Sequence, residues 1–496
     1  MKKFFLMTLL AAASLVVVLA VNTVRQRSRQ LDVAAVRPLP ALDAVAAANR
    51  LGGALKFPTI SHGNREVEGA PFDALHAYLQ DVYPLAHQAL IRERINRYSL
   101  LYTWQGTDPT AKPIMLMAHQ DVVPVAPGTE VDWDVEPFSG TVRDGYVWGR
   151  GAWDNKGSLL AILEAVESLR ARGFRPRQTI YLAFGHDEEN GGETGAKAIA
   201  RLLQSRGERL DFVLDEGLVI TDEILPGVQS PLALVGTAEK GMLTLSLGVA
   251  TEPGHASAPG RDSAIGTLSQ ALVRLENSPL RARIAGATGQ MFDTLAPETT
   301  GLQRLVLSNR WLFGGLLMSQ LERSPSTNAM IRTTTALTVV RAGNKENVLP
   351  GRAEALVNFR ILPGDNTQRV LAHARGVVAD EAISIDILGS SQEPSPVSSS
   401  RAQGFRVIEQ TIRETHPGTL VAPALLIGAT DSRHMASIAD DIYRFSPVHA
   451  RQEDLSRFHG TNERIAVSNY AAMIRFYARL ITNASQSPQQ DATDSR

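Results

Sequence analysis

The sequence contains no cysteine among its 496 residues. This absence excludes disulfides, cysteine nucleophiles and thiolate metal ligands, so any metal site must consist of His, Asp and Glu. The formal net charge is −1, and no basic stripe interleaved with aromatic residues occurs. Nucleic acid is therefore not an expected partner. A Gly-x-Ser-x-Gly motif is also missing, which argues against a serine hydrolase of the nucleophile-elbow type.

One long apolar run is present, near the N-terminus. It extends over residues 4–21, with two lysines before it and three arginines within the next eight residues. Bilayer spans need about 17–25 residues, whereas signal-peptide cores have about 7–15. Val18 and Ala20 could form a cleavage site. We expect residues 1–24 to be a signal anchor or signal peptide, and the protein to be exported: membrane-anchored, or secreted or periplasmic if cleaved.

The chain is longer than the roughly 250–300 residues at which single hydrophobic cores stop growing, so we expect two domains. Residues 25–44 are polar and contain proline, which predicts a linker. From 45 to 238, short apolar runs such as Ile114–Met117 and Ile180–Phe184 enclose a helical pattern at Ser158–Leu169. This alternation predicts an α/β catalytic domain with a mostly parallel sheet.

A different pattern begins at residue 239 and continues to residue 390. Alternating segments such as Leu243–Val249 predict strands, and Ala264–Leu275 predicts a helix. We therefore expect a smaller α+β domain inserted into the first, although Pro279–Ser326 shows no assignable pattern. The α/β pattern resumes at 391–482 as the second part of the catalytic domain, and the polar residues 483–496 predict a disordered tail.

Chemically active side chains recur where the predicted strands end. In chain order they are His119, Asp121, Asp154, Glu188, Glu189, Asp215 and Glu216. Ligands of open α/β sheets bind at the carboxyl ends of the strands. So many acids at one edge would repel one another unless cations offset them. Imidazole and carboxylate ligands suit zinc, cobalt or manganese, and the number of ligands suits two ions about 3.5–4 Å apart with one bridging carboxylate.

Each of these residues, taken alone, has a plainer interpretation. An Asp after a strand is more often a helix cap than a ligand, and the Glu188–Glu189 pair could be an ordinary charged turn. The plain interpretations weaken when taken together, because the residues recur at one structural position with glycines that permit tight turns. The combined pattern favours a metal site.

Several motifs resemble those of the M20 family of dinuclear zinc metallopeptidases. These are His119–Asp121, Gly151–Gly157 and Asp187–Gly192. Five further segments resemble its carboxypeptidase S branch, which includes secreted N-acyl amino acid synthase/hydrolase enzymes: Phe57–Ser61, Gly185–Glu189, Leu214–Gly217, Thr430–His434 and Phe458–Glu463. The resemblance extends from about residue 45 to residue 482.

The resemblance implies a ligand set for two divalent ions, with zinc expected and cobalt or manganese as alternatives. His119 and Asp215 would bind one ion, Glu189 and His459 would bind the other, and Asp154 would bridge them. No implied ligand is missing from the sequence, which argues against an inactive relative. A non-catalytic binding protein that retains metal is the less favoured alternative, because it would be indicated by Ala or Gln at position 188, where Glu is present.

The resemblance also implies catalytic roles. Glu188 would be the general base, Asp121 would orient His119, and His255 would support the substrate or the transition state. The inserted domain would act as a lid that often also forms a homodimer.

Four residues resemble substrate-binding positions of the family: Asn347, Arg360, Gly428 and Thr430. Arg360 suits a substrate carboxylate because a guanidinium matches it bidentately, although a surface ion pair is the plainer interpretation.

We expect a hydrolase that cleaves an amide bond beside a free carboxylate and releases a C-terminal amino acid from a peptide. The alternative is an N-fatty-acyl amino acid hydrolase or synthase, which needs the same metals. The apolar stretch Trp311–Met318 could line an acyl channel, but such a stretch is more often lid core or dimer interface.

Overall fold

A computed structural model describes residues 1–33, 41–63, 67–222, 228 and 230–486. Part of the predicted linker (34–40) and most of the predicted tail (487–496) lie outside the described residues. The chain divides into two compact units. The larger unit comprises Arg29–Thr237, Ser398–Pro423 and Thr430–Arg496. The smaller unit comprises Met1–Ser28, Ala238–Val397 and Ala424–Ala429.

The helices are numbered here in chain order over the described residues. They are α1 (Lys2–Arg25), α2 (Ala44–Leu55), α3 (Gly69–Val82), α4 (Pro84–Ala89), α5 (Lys156–Arg170), α6 (Ala196–Ser205), α7 (Ala264–Asn277), α8 (Gly286–Leu295), α9 (Gly301–Ser308), α10 (Arg310–Leu321), α11 (Pro325–Ala329), α12 (Thr367–Val378), α13 (Gln403–Thr415) and α14 (Val467–Ala484). Short 3₁₀ turns occur at Glu130–Asp132, Glu188–Asn190, Ala296–Glu298, Asp431–Ser437 and Leu455–Arg457.

The strands are numbered in the same way. They are β1 (Ile91–Ile95), β2 (Ser99–Trp104), β3 (Ile114–His119), β4 (Val142–Arg143), β5 (Tyr146–Trp148), β6 (Ile180–Gly185), β7 (Leu210–Thr221), β8 (Leu232–Glu239), β9 (Gly241–Ala250), β10 (Gly254–His255), β11 (Thr334–Ala342), β12 (Val348–Leu349), β13 (Arg352–Ile361), β14 (Ile383–Ile387), β15 (Leu420–Leu426), β16 (Ala439–Ala450) and β17 (Arg464–Ala466).

The larger unit is built on an eight-stranded sheet with the order β1-β2-β6-β3-β7-β16-β8-β15. Its centre is parallel, because β6, β3, β7 and β16 pair in the same direction. Strands β1 and β2 pair antiparallel at one edge, and β8 pairs antiparallel with β16 and β7. The predicted α/β sheet with a mostly parallel arrangement is confirmed.

Both faces of this sheet are covered, as the continuous apolar runs require. Alternate residues of β3 point to opposite faces. Leu116 belongs to the core cluster that includes helices α2, α5 and α14, whereas Met115 and Met117 belong to the cluster that includes Ile199 and Leu203 of α6. The central strands therefore form a rigid base for the loops at their carboxyl ends.

The smaller unit contains a four-stranded antiparallel sheet with the order β11-β13-β9-β14. Its buried face forms one core cluster with helices α7 and α12, in which Leu243, Leu245 and Leu247 of β9 take part. The predicted α+β character of this segment is confirmed, and the predicted strand at Leu243–Val249 and helix at Ala264–Leu275 correspond to β9 and α7.

The segment that showed no assignable pattern, Pro279–Ser326, forms α8, α9 and α10. Helix α10 contains no buried residue, so the lid-core interpretation of Trp311–Met318 is wrong. The physical reason is that α10 packs against α9 and leaves much of its surface open. The dimer-interface interpretation stays a prediction.

Helix α1 is long and apolar enough to cross a membrane, by length and composition. It has 24 residues, and none of them is buried. Helix α9 contacts it within the smaller unit.

Candidate metal centre

The carboxyl edge of the parallel strands collects the candidate site residues of the larger unit. His119 is the last residue of β3, Glu188 and Glu189 begin the 3₁₀ turn after β6, and Glu216 lies within β7. Asp154 comes from the glycine-rich loop that precedes α5. The structure therefore brings together residues that are far apart in the sequence, as the strand-end argument predicts.

Asp154 lies between two imidazoles. Its Oδ1 is 2.9 Å from Nε2 of His119, and its Oδ2 is 2.7 Å from Nε2 of His459. The carboxylate is only 4% exposed, although His459 is partly open to solvent. Since each oxygen faces a different imidazole, Asp154 has the orientation that a carboxylate bridging two cations needs.

A further carboxylate accompanies each imidazole. Oε1 of Glu216 is 3.4 Å from Nε2 of His119, and Oε1 of Glu189 is 3.4 Å from Nε2 of His459. Two groups of possible ligand atoms result. Within each group the atoms lie within 4.8 Å of one another, and both groups contain Asp154. The arrangement is thus two adjoining clusters that share one carboxylate.

The second carboxylate beside Nε2 of His119 comes from Glu216, whereas the resemblance implied Asp215. The carboxylate of Asp215 accepts backbone N–H groups from Glu216 at 2.9 Å and from Ser432 at 2.8 Å. The register between β7 and β16 shifts just after Asp215, which creates a bulge that contains Glu216. Bulges re-aim side chains, so the bulge accounts for the orientation of Glu216 towards His119. The sequence carried no signal that distinguishes these adjacent acids.

Asp121 holds His119 from the side opposite the cluster. The Nδ1–H of His119 donates to the backbone carbonyl of Asp121 at 2.9 Å, and Oδ1 of Asp121 is 3.3 Å away. The same carboxylate accepts the hydroxyl of Ser61 at 2.6 Å and the N–H groups of Glu188 and Glu189 at 3.2 and 3.1 Å. This arrangement leaves Nε2 of His119 free to face the cluster.

Glu188 belongs to a third group of possible ligand atoms, with His119 and Glu189. Burial raises the pKa of Glu188 well above its ordinary value. His119 lowers this pKa, but the neighbouring carboxylates of Asp431 and Glu216 raise it again. A carboxyl group with a raised pKa is suited to accept and hold a proton near neutral pH.

The imidazoles and carboxylates of the cluster perturb one another strongly. Burial lowers the pKa of His119, but Glu216, Asp121 and Asp154 reverse this effect and hold it well above its ordinary value. The neighbouring carboxylates of Asp154 and Glu189 raise the pKa of His459 to about 10. Since the carboxylates outnumber the imidazoles, bound cations would relieve the excess negative charge.

The donor set fits divalent cations. It consists of two imidazole nitrogens and the carboxylates of Asp154, Glu189 and Glu216, and these ligand types suit zinc, cobalt or manganese. Within the described part of the chain, the buried Oε1 of Glu189 has no hydrogen-bond partner. An orphaned oxygen beside an imidazole is the atom that a metal ion would take up.

Glu463 supports the loop that carries Asp154, a role that its sequence motif did not imply. It is fully buried, and its Oε1 accepts the N–H groups of Gly151, Trp153 and Asp154 at 3.0, 2.9 and 3.1 Å. Its Oε2 accepts Arg150 at 2.7 Å. The available signal was its place four residues after a predicted ligand, in a segment that resembles the family motif.

Asp431 lies beneath the turn that carries Glu188. It is buried, and neither of its carboxylate oxygens has a hydrogen-bond partner among the described residues. Burial raises its pKa well above the ordinary value. A Cβ atom at Gly192 would lie 1.9 Å from its Oδ1, so the turn and the carboxyl group are in close contact.

Thr430 is the predicted substrate-binding residue of the larger unit. It is buried, and its hydroxyl lies 2.7 Å from the hydroxyl of Ser432. Its role towards substrate stays a prediction.

The other predicted substrate residues belong to the smaller unit. His255 is in β10, and its Nδ1 is 2.8 Å from the hydroxyl of Ser257. The carbonyl of Asn347 accepts the N–H of Ala256 at 3.1 Å, so the pairing of β10 with β12 places Asn347 beside His255. Arg360 is in β13, and Gly428 follows β15. The roles of these four residues also stay predictions.

The fold and the cluster define a metal-dependent hydrolase of α/β architecture. The family model described as Peptidase family M20/M25/M40 matches residues 115–483. The chain belongs to this family, and the resemblance drawn from its motifs is confirmed. Its membership also confirms the expected class of metal-dependent hydrolase.

Two curated relatives cover nearly the whole chain. The N-fatty-acyl-amino acid synthase/hydrolase PM20D1 of Homo sapiens is 42% identical over 446 residues, which is 89% of this chain and 88% of that protein. The protein of Dictyostelium discoideum named "Probable carboxypeptidase S-like 2" is 39% identical over 486 residues, covering 95% and 92%.

Solved structures share the fold at lower identity. The M20 family metallo-carboxypeptidase Sso-CP2 from Sulfolobus solfataricus has a TM-score of 0.66 at 18% identity, covering 90% of this chain and 100% of that one. Human carnosine dipeptidase 1 has a TM-score of 0.62 at 17% identity, covering 91% and 100%.

Proposed function

We propose that this protein is a dinuclear metal-dependent hydrolase that cleaves an amide bond beside a free carboxylate and releases an amino acid. The observation that carries the proposal is the position of Asp154, whose two oxygens face His119 and His459. A carboxylate in this position suits two ions better than one. Each imidazole has its own second carboxylate, from Glu216 or Glu189.

The proposed ligands follow from these distances. His119 and Glu216 would hold one ion, Glu189 and His459 would hold the other, and Asp154 would contribute to both sites. We expect zinc, with cobalt or manganese as alternatives. Bound ions of this kind polarise a carbonyl group and lower the pKa of water towards about 7.

The chain's own residues move the proton and set the geometry. Glu188 takes a proton from the attacking water and later returns it to the leaving amine nitrogen. Its raised pKa supports this assignment, because the carboxyl group can hold the proton between the two steps. Asp121 fixes the tautomer and orientation of His119 and holds the turn that carries Glu188.

The roles in substrate binding rest on the family resemblance. His255 offsets charge on the tetrahedral oxyanion, and Arg360 holds the carboxylate of the released amino acid because its planar fork matches that group. Asn347, Gly428 and Thr430 are the other residues that the resemblance assigns to substrate binding. A homodimer through the smaller unit belongs to the same proposal.

Two acyl groups are candidates for the other side of the amide bond. The carboxypeptidase function takes a peptide, in line with the name of the Dictyostelium relative. The second candidate takes a fatty acyl group, in line with the name of the human relative. The exposed apolar surface of α10 and the apolar helix α1 favour the second candidate, since they suit a chain that works beside a membrane.

The test is release of phenylalanine by the full-length protein in detergent, with zinc or cobalt supplied. The substrates are a blocked dipeptide ending in phenylalanine, N-oleoyl-phenylalanine, and the carboxamide of each. The proposal expects release from at least one free acid, suppression by a chelator, and little release from either carboxamide.

The preferred substrate among the two that carry a free carboxylate identifies the acyl group. Release from the blocked dipeptide alone establishes a carboxypeptidase, and preference for the oleoyl substrate establishes an N-fatty-acyl amino acid hydrolase. Incubation of oleate with phenylalanine then tests the synthase direction. Equal release of phenylalanine from a free acid and its carboxamide contradicts the requirement for a free carboxylate. No release from any of the four substrates contradicts the proposal.

A further inference from the structure

Helices α9 and α10 of the smaller unit expose a large apolar surface. Leu302, Trp311, Leu312 and Leu316 are 73%, 61%, 43% and 64% exposed. Neither helix contains a buried residue. Adjoining exposed apolar side chains of this size mark a surface that another body covers.

The same pair of helices is hydrogen-bonded to α1 and its C-terminal end. Asn309, at the junction of α9 and α10, is fully buried. Its Nδ2 donates to the carbonyl of Leu19 at 3.3 Å and to the hydroxyl of Thr23 at 3.2 Å, and its Oδ1 accepts Nδ2 of Asn22 at 3.0 Å. A buried amide with several partners fixes one register between packed helices. Arg304 adds a bond to the carbonyl of Gln26 at 3.1 Å.

These contacts lie where the apolar part of α1 ends. The apolar run covers residues 4–21, and the hydrogen bonds reach residues 19–26. At a rise of about 1.5 Å per residue, the run is about as long as the hydrocarbon core of a bilayer is thick, roughly 30 Å. The junction at Asn309 therefore lies level with one membrane–water interface when α1 spans the bilayer.

The residues around the junction at Asn309 are of types that favour a membrane–water interface. The indole of Trp311 donates to Oδ1 of Asn309 at 3.4 Å, and tryptophan is enriched at membrane interfaces. Arg25, Arg27 and Arg29 lie within eight residues of the end of the apolar run, and positive charge beside a span attracts anionic head groups.

We propose that α10, with the exposed end of α9, lies in the plane of the bilayer that α1 spans, with Trp311, Leu312 and Leu316 in the head-group region. The occupant of the apolar surface is the lipid surface itself. The smaller unit would then be attached to the membrane by two elements, one that crosses it and one that lies on it.

The absence of cysteine makes a direct test possible, because one introduced cysteine can be labelled alone. Leu316→Cys in the full-length chain receives a nitroxide label and is reconstituted into vesicles of phosphatidylcholine and phosphatidylglycerol. Val340→Cys is the matched control, since Val340 lies in the same unit and is similarly exposed, at 61% against 64% for Leu316. Leu302→Cys provides a second site on the proposed surface.

We expect the label at 316 to collide with dissolved oxygen, which concentrates in lipid, several-fold more than the label at 340 does. The order should reverse for a water-soluble nickel complex. Asn309→Leu should reduce the oxygen collisions at 316, because it removes the side-chain bonds to α1.

Equal accessibility to the nickel complex at 316, 302 and 340 overturns the proposal. So does shielding of the 316 label from both reagents together with spin–spin broadening, which would show that a second copy of the chain covers this surface. The measurement reads the position of α10 and not turnover, so its failure leaves the proposed amide hydrolysis intact.

Discussion

Oδ1 of Asp121 accepts the backbone N–H of Glu188 at 3.2 Å. The same oxygen lies 3.3 Å from Nδ1 of His119. One carboxylate therefore sets the orientation of a proposed ligand and the position of the proposed base together. Changes at Asp121 should consequently affect metal affinity and turnover at once.

Asp121→Asn should weaken binding of the ion held by His119 by about 10–100-fold, the usual effect of removing a carboxylate partner from a ligating histidine. Turnover at saturating metal should fall as well, since the amide cannot accept all the bonds that the carboxylate accepts. Competition with a chelating dye measures the affinity. Ser61→Ala removes one bond to the same carboxylate and should have a smaller effect. Equal effects of the two substitutions would argue against the orienting role of the charge.

Glu188→Gln and Glu189→Gln form a matched pair on adjacent residues. Glu188→Gln should reduce kcat by at least about 100-fold, because the amide cannot accept the proton, while the metal content stays at two ions per chain. Glu189→Gln should lower the metal content towards one ion, because Glu189 is a proposed ligand. Elemental analysis of the purified variants and kinetics on one substrate distinguish the two. Metal loss in Glu188→Gln would refute its assignment as the base.

Glu216→Gln and Asp215→Asn separate the two adjacent acids of β7. Glu216→Gln should cost one ion, because its carboxylate is 3.4 Å from Nε2 of His119. Asp215→Asn should retain both ions and lose stability instead, because its carboxylate accepts backbone N–H groups. Measurements of metal content and thermal unfolding of the two variants show which acid is the ligand. The opposite pattern would restore the ligand set that the family resemblance implied.

Gly192→Ala should abolish most activity in a folded protein. Gly192 has φ of +66°, and an added Cβ would lie 1.9 Å from Oδ1 of Asp431. The turn with Glu188 and Glu189 must then move, at a cost of about 1–3 kcal/mol for the backbone strain alone. Gly173→Ala is the control, since Gly173 has φ of +72° and nothing within 4 Å of its Cβ position. It should lose some stability and keep full activity.

Glu463→Gln should lower the free energy of unfolding by about 3–5 kcal/mol, as expected when one partner of a buried ion pair is removed. Arg150 then keeps its charge in a buried position, and the loop with Asp154 loses an anionic acceptor. Glu93→Gln is the comparison, because Glu93 pairs with Arg206 at the surface, where a salt bridge contributes about 0–1 kcal/mol. Denaturant titration measures both. Similar losses would mean that Glu463 does not support the loop.

The sequence predicted the sheet well because its central strands are unbroken apolar runs between polar loops. The runs at Ile114–Met117 and Ile180–Phe184 lie next to each other in the parallel centre, as expected. Strand alternation and helix periodicity were enough to identify β9 and α7 in the smaller unit. These features are local, so a single sequence contains them.

The features that the sequence could not predict depend on the folded backbone. The choice between Asp215 and Glu216 depends on a bulge that appears only when β7 pairs with β16. The role of Glu463 depends on a contact with a loop some 300 residues earlier in the chain. Helices α8–α10 lacked a clear pattern because they are short and interrupted by glycine, and α10 has no buried face.

The order of the proposed ligands along the chain has a consequence for biosynthesis. His119, Asp154 and Glu216 all precede the segment that forms most of the smaller unit, whereas His459 follows that segment. Both sites nevertheless depend on the C-terminal part of the chain, because the bulge that orients Glu216 requires β16 and the loop that carries Asp154 is held by Glu463. The two ions should therefore be acquired only after this part has been synthesised, and a truncated product that ends before His459 should bind neither ion tightly and should not hydrolyse substrate.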